Sequence, residues 1–418
     1  MRSEAAVIHG RDEVTVTAVD LPEIGSEELL LRVVSSSMCL STSKALALGS
    51  SHKRVPDTIA EVPVITGHEF AGVIEQVGSA LTEQYSPGQS VAVQPAMGLD
   101  SGYSPGYSYP YYGGDATYCI VPKVAVDKGC VLPYAGTYFA NASLAEPMSC
   151  IIGAFRASYH TRPYVYEHEM GIRKDGRLAL LGSGGPMGVG AVDYALHGPV
   201  SPRQVVAVDA DEARLHRLRS LFPPEEAAAR GIDLVYLDVR DLDAAAALRE
   251  MSEGEGFDDV LVLAASAELL QVADAVLATD GCLNFFAGPT DKSFAVPLNF
   301  YNVHYERTHL VGTSGGSRDD MAECLELSSQ GVLNPSFMVT HVAGLDAVPG
   351  ALRGLPSFRG GKIVVYPHAE MPLTGIAELA EMGAADPRYA RLAEICERHD
   401  GIWNEEAERY LLDAFARG

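Results

Sequence analysis

The stretch Arg177–Asp209, RLALLGSGGPMGVGAVDYALHGPVSPRQVVAVD, constrains the fold more than any other. It opens on an apolar run, Leu178–Leu181, of the kind shown by a strand buried on both faces. A glycine cluster follows: Gly182, Gly184, Gly185 and Gly188. Val189–Leu196 reads as helix, and a second apolar run, Val205–Val208, ends in Asp209. Strand, glycine turn, helix, strand and acid, in that order, describe a dinucleotide-binding βαβ unit. The turn must be tight, and its backbone must approach a pyrophosphate that a Cβ would hold off. The helix N-terminus adds unpaired N–H groups and a partial positive charge. Asp209 would accept hydrogen bonds from ribose hydroxyls, which favours NAD(H) over NADP(H). Arg214 and Arg217, downstream in a predicted helix, would favour a 2′-phosphate instead, and the acid at the strand end decides for NAD(H). The turn departs from G-x-G-x-x-G: with Gly185 and Gly188 as second and third glycines, Ser183 stands at the first. The expected cofactor-binding set is Gly182, Gly184, Gly185, Pro186, Met187, Gly188 and Asp209.

A chain of 418 residues suggests two or three domains, and 47% hydrophobic residues support ample cores. There is no 18-residue apolar run for a membrane span. The opening MRSEAAVIHGRDEVTV lacks the apolar core of a secretion signal, so the expected compartment is the cytoplasm. Seven scattered cysteines with no CxxC pair argue against a disulfide framework and against a four-cysteine zinc lobe. A net charge of −24 argues against nucleic acid and anionic membranes as partners. A phosphorylated substrate would need a local basic pocket set against that field.

In chain order, the first 37 residues read as β-strands of a separate domain. A short helix is expected after Cys39, strands around 69–78 and 89–94, and a long irregular loop, MGLDSGYSPGYSYPYYGG, at 97–114. Thr117–Pro122 resumes as strand, and Ala145-Glu146-Pro147 reads as the opening of a helix over Met148–Tyr159. Residues 160–176 read as a polar connection. Strands near 234–236, 260–263, 282–287 and 309–313 then alternate with helices near 241–250 and 267–278, the rhythm of a doubly wound parallel sheet. A helix at 318–330, strands near 337–343 and 362–366, and helices at 389–396 and 405–415 close the chain. The expected fold is α/β: a mostly-β catalytic domain over 1–155 and 318–418, interrupted by a Rossmann cofactor domain over 156–317.

Four metal-ligating side chains, Cys39, His68, Glu69 and Glu146, lie in the first domain. Thiolate, imidazole and carboxylate suit a tetrahedral zinc ion with one position open. Their spacing alone does not select this set. The motifs around them do more. Gly67-His68-Glu69-Phe70-Ala71-Gly72, Val77-Gly78, Cys39-x-Ser41, Gly113-Gly114-Asp115-Ala116-Thr117-Tyr118, Ala145-Glu146-Pro147 and the glycine loop before Asp209 occur in one order. Over residues 1–367 this resembles the zinc-containing medium-chain dehydrogenases, the family of alcohol and sorbitol dehydrogenases. The resemblance implies a GroES-like catalytic domain and an enzyme. It implies one catalytic zinc on Cys39, His68 and one or both of Glu69 and Glu146, with Ser41 passing the substrate's proton. Where that family often has Cys-Gly-Ser-Asp-x-His, this chain has Cys39-Leu40-Ser41-Thr42-Ser43-Lys44, which leaves Lys44 to end the relay or face solvent. The four-cysteine structural zinc lobe is absent, with the 97–114 loop in its place.

The connection Tyr159–Arg173, the run Gly185-Pro186-Met187-Gly188-x-Gly190-Ala191-x-Asp193-Tyr194, and a tail with Pro372-Leu373-Thr374-Gly375 and Gly401-Ile402-Trp403-Asn404 resemble L-sorbose-1-phosphate reductases. That implies reduction of L-sorbose 1-phosphate to glucitol 6-phosphate with NADH. Lys44, Lys53, Arg54, Arg156 and His160 are the cations expected to serve the phosphate, and Arg359 or Lys362 would touch the cofactor pyrophosphate. The rivals are an unphosphorylated polyol or secondary-alcohol dehydrogenase, a zinc-free quinone-reductase-like enzyme, and a non-catalytic dinucleotide-binding redox sensor. The retained ligands oppose the last two. The resemblance also implies a homodimer or homotetramer through the Rossmann sheet edge. The 369–418 tail is expected to pack over the catalytic cleft or a subunit interface and to bury Trp403.

Overall fold

A computed structural model describes residues 1–417. The chain divides into two compact units. One comprises Met1–Glu146, Ser317–Ser329 and Pro335–Gly418, and the other Pro147–Gly316 and Gln330–Asn334.

The second unit is built on six parallel strands. In chain order they are Arg177–Leu181, Gln204–Asp209, Asp233–Asp238, Phe257–Val262, Leu277–Phe285 and His309–Gly312. Their order across the sheet is third, second, first, fourth, fifth, sixth, the arrangement of a doubly wound dinucleotide fold. The apolar runs are continuous because both faces are covered: Ala179, Leu181, Val206, Val208, Val260 and Val262 all lie in one buried cluster. The polar connection read at 160–176 contains an antiparallel hairpin, Tyr159–Arg162 with Val165–Met170. Its second strand is exposed throughout, so no apolar alternation marked it.

The first unit is mostly β. Its main sheet pairs Leu29–Ser37 with Glu69–Val77, Tyr118–Val121 and Lys362–Tyr366, and extends through Ser90–Val93 to Val131–Pro133. A smaller sheet joins Arg2–Gly10 to Glu13–Asp20 and Val64–Ile65. One helix begins earlier than the sequence suggests. Phe139–Ala157 is continuous, so Glu146 and Pro147 lie inside it and not at its opening. The reason is tertiary. Glu408 accepts from the N–H groups of Phe139 at 2.7 Å and Ala140 at 2.9 Å, satisfying two donors at the helix start.

Glu408 belongs to the C-terminal tail, whose helices Pro387–Glu397 and Glu405–Ala414 pack within the first unit. Trp403 is fully buried, and its indole N–H donates to the Tyr366 hydroxyl at 2.6 Å. The Tyr138 hydroxyl donates to the Trp403 carbonyl at 2.8 Å. Among the described residues no helix is long and apolar enough to cross a membrane.

Candidate metal and active site

Cys39 precedes the short helix Leu40–Leu48, and His68 and Glu69 lie at the start of the strand Glu69–Val77. A ligand atom from each of Cys39, His68 and Glu69 falls within 4.8 Å of the others. The glycine motifs explain how. Gly67 has φ +85°, and a Cβ there would meet the Asp115 backbone at 2.6 Å. The chain runs close enough for the Asp115 N–H to bond the Thr66 carbonyl at 2.9 Å and the Gly114 N–H to bond the Gly67 carbonyl at 2.8 Å. The Asp115 carboxylate then accepts from Thr66 Oγ1 at 2.7 Å and Ser36 Oγ at 2.8 Å. A Cβ on Gly114 would strike Phe70 at 2.3 Å. The Gly113-Gly114-Asp115 motif is therefore a brace that fixes the turn presenting His68.

The donors fit a zinc ion. His68 Nδ1 lies 3.1 Å from Thr42 Oγ1. A proton on Nδ1 donated to that hydroxyl leaves the Nε2 lone pair for a metal, the usual arrangement for a ligating imidazole. Burial, then the Glu69 charge, pushes the Cys39 thiol up. Burial, then the Glu69 charge, pushes the Glu146 carboxyl up to about 8. Three groups that ionise to anions thus crowd one buried place, which a dication would relieve. Burial holds His68 below the ordinary imidazole range, against the pull of Glu146 and Glu69. Glu146 is buried beside this set but is not among the three that share the 4.8 Å sphere.

Lys362 has a different place from the one its sequence position suggested. It is buried, with its ammonium 2.6 Å from both Glu69 carboxylate oxygens and 3.3 Å from the Met38 carbonyl. Burial alone would raise the Glu69 carboxyl; Lys362 outweighs it and holds the group below the usual carboxylate range. Ser37 Oγ donates to the same carboxylate. Lys362 is thereby committed to Glu69, which removes it from the pyrophosphate. Arg359 is exposed in the loop before that strand.

Ser41 Oγ lies 3.0 Å from Cys39 Sγ and 2.7 Å from the Tyr107 hydroxyl. Tyr107 also comes within 3.4 Å of His68 Nε2. It sits in the irregular 97–114 loop, and composition gave no reason to single out one of that loop's five tyrosines (Tyr103, Tyr107, Tyr109, Tyr111 and Tyr112). The one local sign is Gly106, whose φ of +76° lets the loop cross the Gly67 carbonyl. Burial keeps the Tyr107 phenol protonated, well above its ordinary range. The hydroxyl that the structure sets beside Ser41 is thus that of Tyr107.

Of the cations expected at a phosphate, Lys44, Lys53 and Arg54 all lie in the first unit, and Arg54 stands over the Tyr107 ring, 5.2 Å from its centroid. Arg156 is exposed near the end of the Phe139–Ala157 helix. His160 belongs elsewhere: it is buried in the second unit, with Nε2 3.3 Å from Asp259 and Nδ1 3.0 Å from the Asp280 carbonyl. A side chain enclosed by carboxylates does not serve an anion.

In the second unit, Gly182 has φ +77° and Gly188 packs so close to Ser183 that a Cβ would lie 1.9 Å from its carbonyl oxygen. Ser183 is buried, and both its N–H (2.9 Å) and its hydroxyl (3.1 Å) bond the Val208 carbonyl. Its φ is not positive, so a side chain is tolerated where the motif has glycine. Space around Gly185 is open. Gly185 begins the helix Pro186–His197 without a side-chain cap, leaving the N-terminal N–H groups to an anion. Met187 follows Pro186 in that first turn. Asp209 accepts from the Gly184 N–H at 2.7 Å and the Asp211 N–H at 2.9 Å, so its carboxylate stands beside the turn. Arg214 reaches Asp211 at 3.7 Å. These residues fit a dinucleotide.

Comparison with known proteins gives a consistent picture. The family described as zinc-binding dehydrogenase matches residues 186–330, and the alcohol dehydrogenase GroES-like domain matches residues 25–135. The chain is 56% identical to mannitol-1-phosphate 5-dehydrogenase of Aliivibrio fischeri, over 99% of this chain and 98% of that one. It is 42% identical to L-sorbose 1-phosphate reductase of Klebsiella pneumoniae, over 97% and 96%. Its fold is similar to that of 2R,3R-butanediol dehydrogenase from Bacillus subtilis, with a TM-score of 0.71 at 20% identity, over 87% of this chain and 99% of that one.

Proposed function

The chain belongs to the zinc-binding dehydrogenases, the alcohol and polyol dehydrogenase family, and from that premise we propose that it interconverts a hexitol phosphate and the corresponding ketose phosphate. The observation that carries the reading is the Cys39–His68–Glu69 cluster, its His68 and Glu69 buried and its Cys39 half-buried, joined to Ser41 and Tyr107, in a chain similar along nearly its whole length to two enzymes named for sugar-phosphate substrates. Those two names differ in substrate, and the choice here is L-sorbose 1-phosphate, reduced to glucitol 6-phosphate, with mannitol 1-phosphate as the second reading because of the 56% identity.

In this proposal the first unit is the catalytic one and the second holds NAD(H), with Asp209 selecting against a 2′-phosphate. Cys39, His68 and Glu69 would hold one zinc, with Glu146 beside them. Zinc would supply a Lewis acid for the substrate oxygen, and the nicotinamide the hydride. The protein's own residues supply the rest. Thr42 fixes the His68 tautomer. Lys362 and Ser37 keep Glu69 ionised and in place. The half-buried Ser41 passes a proton from solvent to the substrate oxygen on reduction, and the Tyr107 phenol, 2.7 Å away, stays protonated and orients Ser41 by its hydrogen bond. The assembly proposed is a homodimer or homotetramer through the edge strand His309–Gly312.

Tyr107→Phe is expected to lower kcat/KM about 100-fold, within the range for losing the positioning of one proton donor, Ser41, with zinc content unchanged. An unchanged rate would make Tyr107 a packing residue. The function itself is tested by NADH oxidation with the zinc-loaded enzyme, offering L-sorbose 1-phosphate and free L-sorbose in parallel, and mannitol 1-phosphate with NAD in the opposite direction. Turnover confined to phosphate esters is the expected result. Equal turnover of free L-sorbose would establish the unphosphorylated rival.

A further inference from the structure

The chain carries 55 acidic residues against 31 Lys and Arg, yet from Leu29 to Pro56 it has no acid at all, while Lys44, His52, Lys53 and Arg54 fall within that stretch. The fold gathers these four. Burial, then the charges of Arg54, Lys53 and Lys44 in that order, holds His52 below the usual imidazole range. His52 stacks on Tyr107, with ring centroids 5.6 Å apart and planes 12° from parallel. Arg54 stands over the same ring at 5.2 Å. Among the described residues neither Lys53 nor Arg54 is paired with a carboxylate.

We infer that His52, Lys53 and Arg54, with Lys44 behind them, form the subsite for the substrate's phosphate monoester, rigidly coupled to the reacting end through Tyr107. This deepens the sugar-phosphate reading and rests on it.

The geometry is that of a built site. Ser108 Oγ donates to the Arg54 carbonyl at 2.6 Å, and the Arg54 N–H points to His52 Nδ1 at 3.3 Å. With Nδ1 accepting, the His52 proton is on Nε2, which is left as a donor. Guanidinium, ammonium and imidazole N–H together match a phosphate's acceptor oxygens. Lys53 and Arg54 line a cavity of about 440 Å³, closed on its other side by Pro95–Tyr103. Asp100 in the same lining offers an acceptor for sugar hydroxyls. Tyr107 then fixes the spacing: its ring carries His52 and Arg54, and its hydroxyl meets Ser41. An ester anchored at Arg54 is thereby held in register with the proton donor.

The test uses the full-length zinc-loaded enzyme and its Arg54→Gln, Arg54→Lys and exposed-site Lys53→Gln variants. Inorganic phosphate is titrated calorimetrically, and KM and kcat are read for the turned-over ester, for the unphosphorylated ketose and for NADH. Losing one charged hydrogen-bond partner is expected to raise KM for the ester roughly 10- to 100-fold in Arg54→Gln, with kcat within about threefold, partial recovery in Arg54→Lys, and a smaller rise in Lys53→Gln. Phosphate binding should weaken in step. A KM rise for NADH instead of the ester would assign the cluster to the cofactor and overturn the subsite, as would unchanged phosphate binding in both glutamine variants. If the wild type turned over neither ester, the sugar-phosphate reading would fall. The subsite would then fall with it unless phosphate binding remained sensitive to Arg54 and Lys53.

Discussion

His68→Ala will purify without zinc and turn over at least about a thousandfold more slowly than the wild type, which will hold one zinc per chain. In the proposed site His68 is the ligand no neighbour replaces. Its Nε2 is placed by the Gly67 turn, and its tautomer by Thr42 Oγ1 at 3.1 Å. Removing it leaves Cys39 and Glu69, and Glu69 is already engaged by Lys362 at 2.6 Å. The size follows from chemistry: a Lewis acid on the reacting oxygen stabilises the transition state by several kcal/mol, and about 4 kcal/mol is a factor of a thousand. Elemental analysis beside steady-state kinetics decides it. A variant keeping one zinc and ordinary turnover would move the metal site elsewhere. Two tightly held zincs in the wild type would revive the structural zinc that the 97–114 loop lacks the cysteines to bind. Thr42→Val should keep the ligands and weaken zinc affinity by about 10- to 100-fold, the usual effect of losing a ligand's outer partner.

Trp403→Ala will destabilise the protein by about 3–5 kcal/mol, the range for deleting a fully buried large aromatic side chain. The indole is 0% exposed and bonds Tyr366, so the variant also removes one partner of a buried hydroxyl, leaving it Glu408. Tyr366 ends the strand that Lys362 begins, and Lys362 holds Glu69. The tail therefore supports the metal site from behind, and a chain ended at residue 368 should be less stable still. Thermal unfolding should show a fall of roughly 10 °C. An unchanged midpoint would mean that the tail is detached in solution. Glu408 supplies a second readout. Burial pushes its carboxyl up to about 8, well above the ordinary value of 4.5. Between those values the folded protein keeps a proton that the unfolded chain has released, so this contribution favours folding near pH 5 and is lost as pH rises through 8. Glu408→Gln should flatten that slope.

The second unit was legible because its central parallel strands, Arg177–Leu181, Gln204–Asp209 and Phe257–Val262, are covered on both faces and so carry apolar runs, while Gly182–Gly188 marks the one turn where a backbone must come close to something large. The ligands were legible for another reason. Nothing in the distances between Cys39, His68 and Glu146 along the chain selects them, and the motifs around them did so through family resemblance. Even there the second glycine motif was a marker without a meaning until Asp115 was seen bracing Thr66 and Ser36.

By itself, then, the sequence determined the two-domain α/β plan and the dinucleotide turn, because these depend on local periodicity and on glycine's freedom, and it offered the candidate metal ligands through the motifs that carry the family resemblance. Tertiary structure alone decided that Lys362 belongs to Glu69, that Tyr107 stands behind Ser41, that Glu408 starts the helix carrying Glu146, and that Arg54 and His52 share one aromatic ring while His160 serves a different cluster. Each of these pairs residues that no helical or strand period connects, and a charge or hydroxyl carries no local sign of the distant partner that makes its burial tolerable.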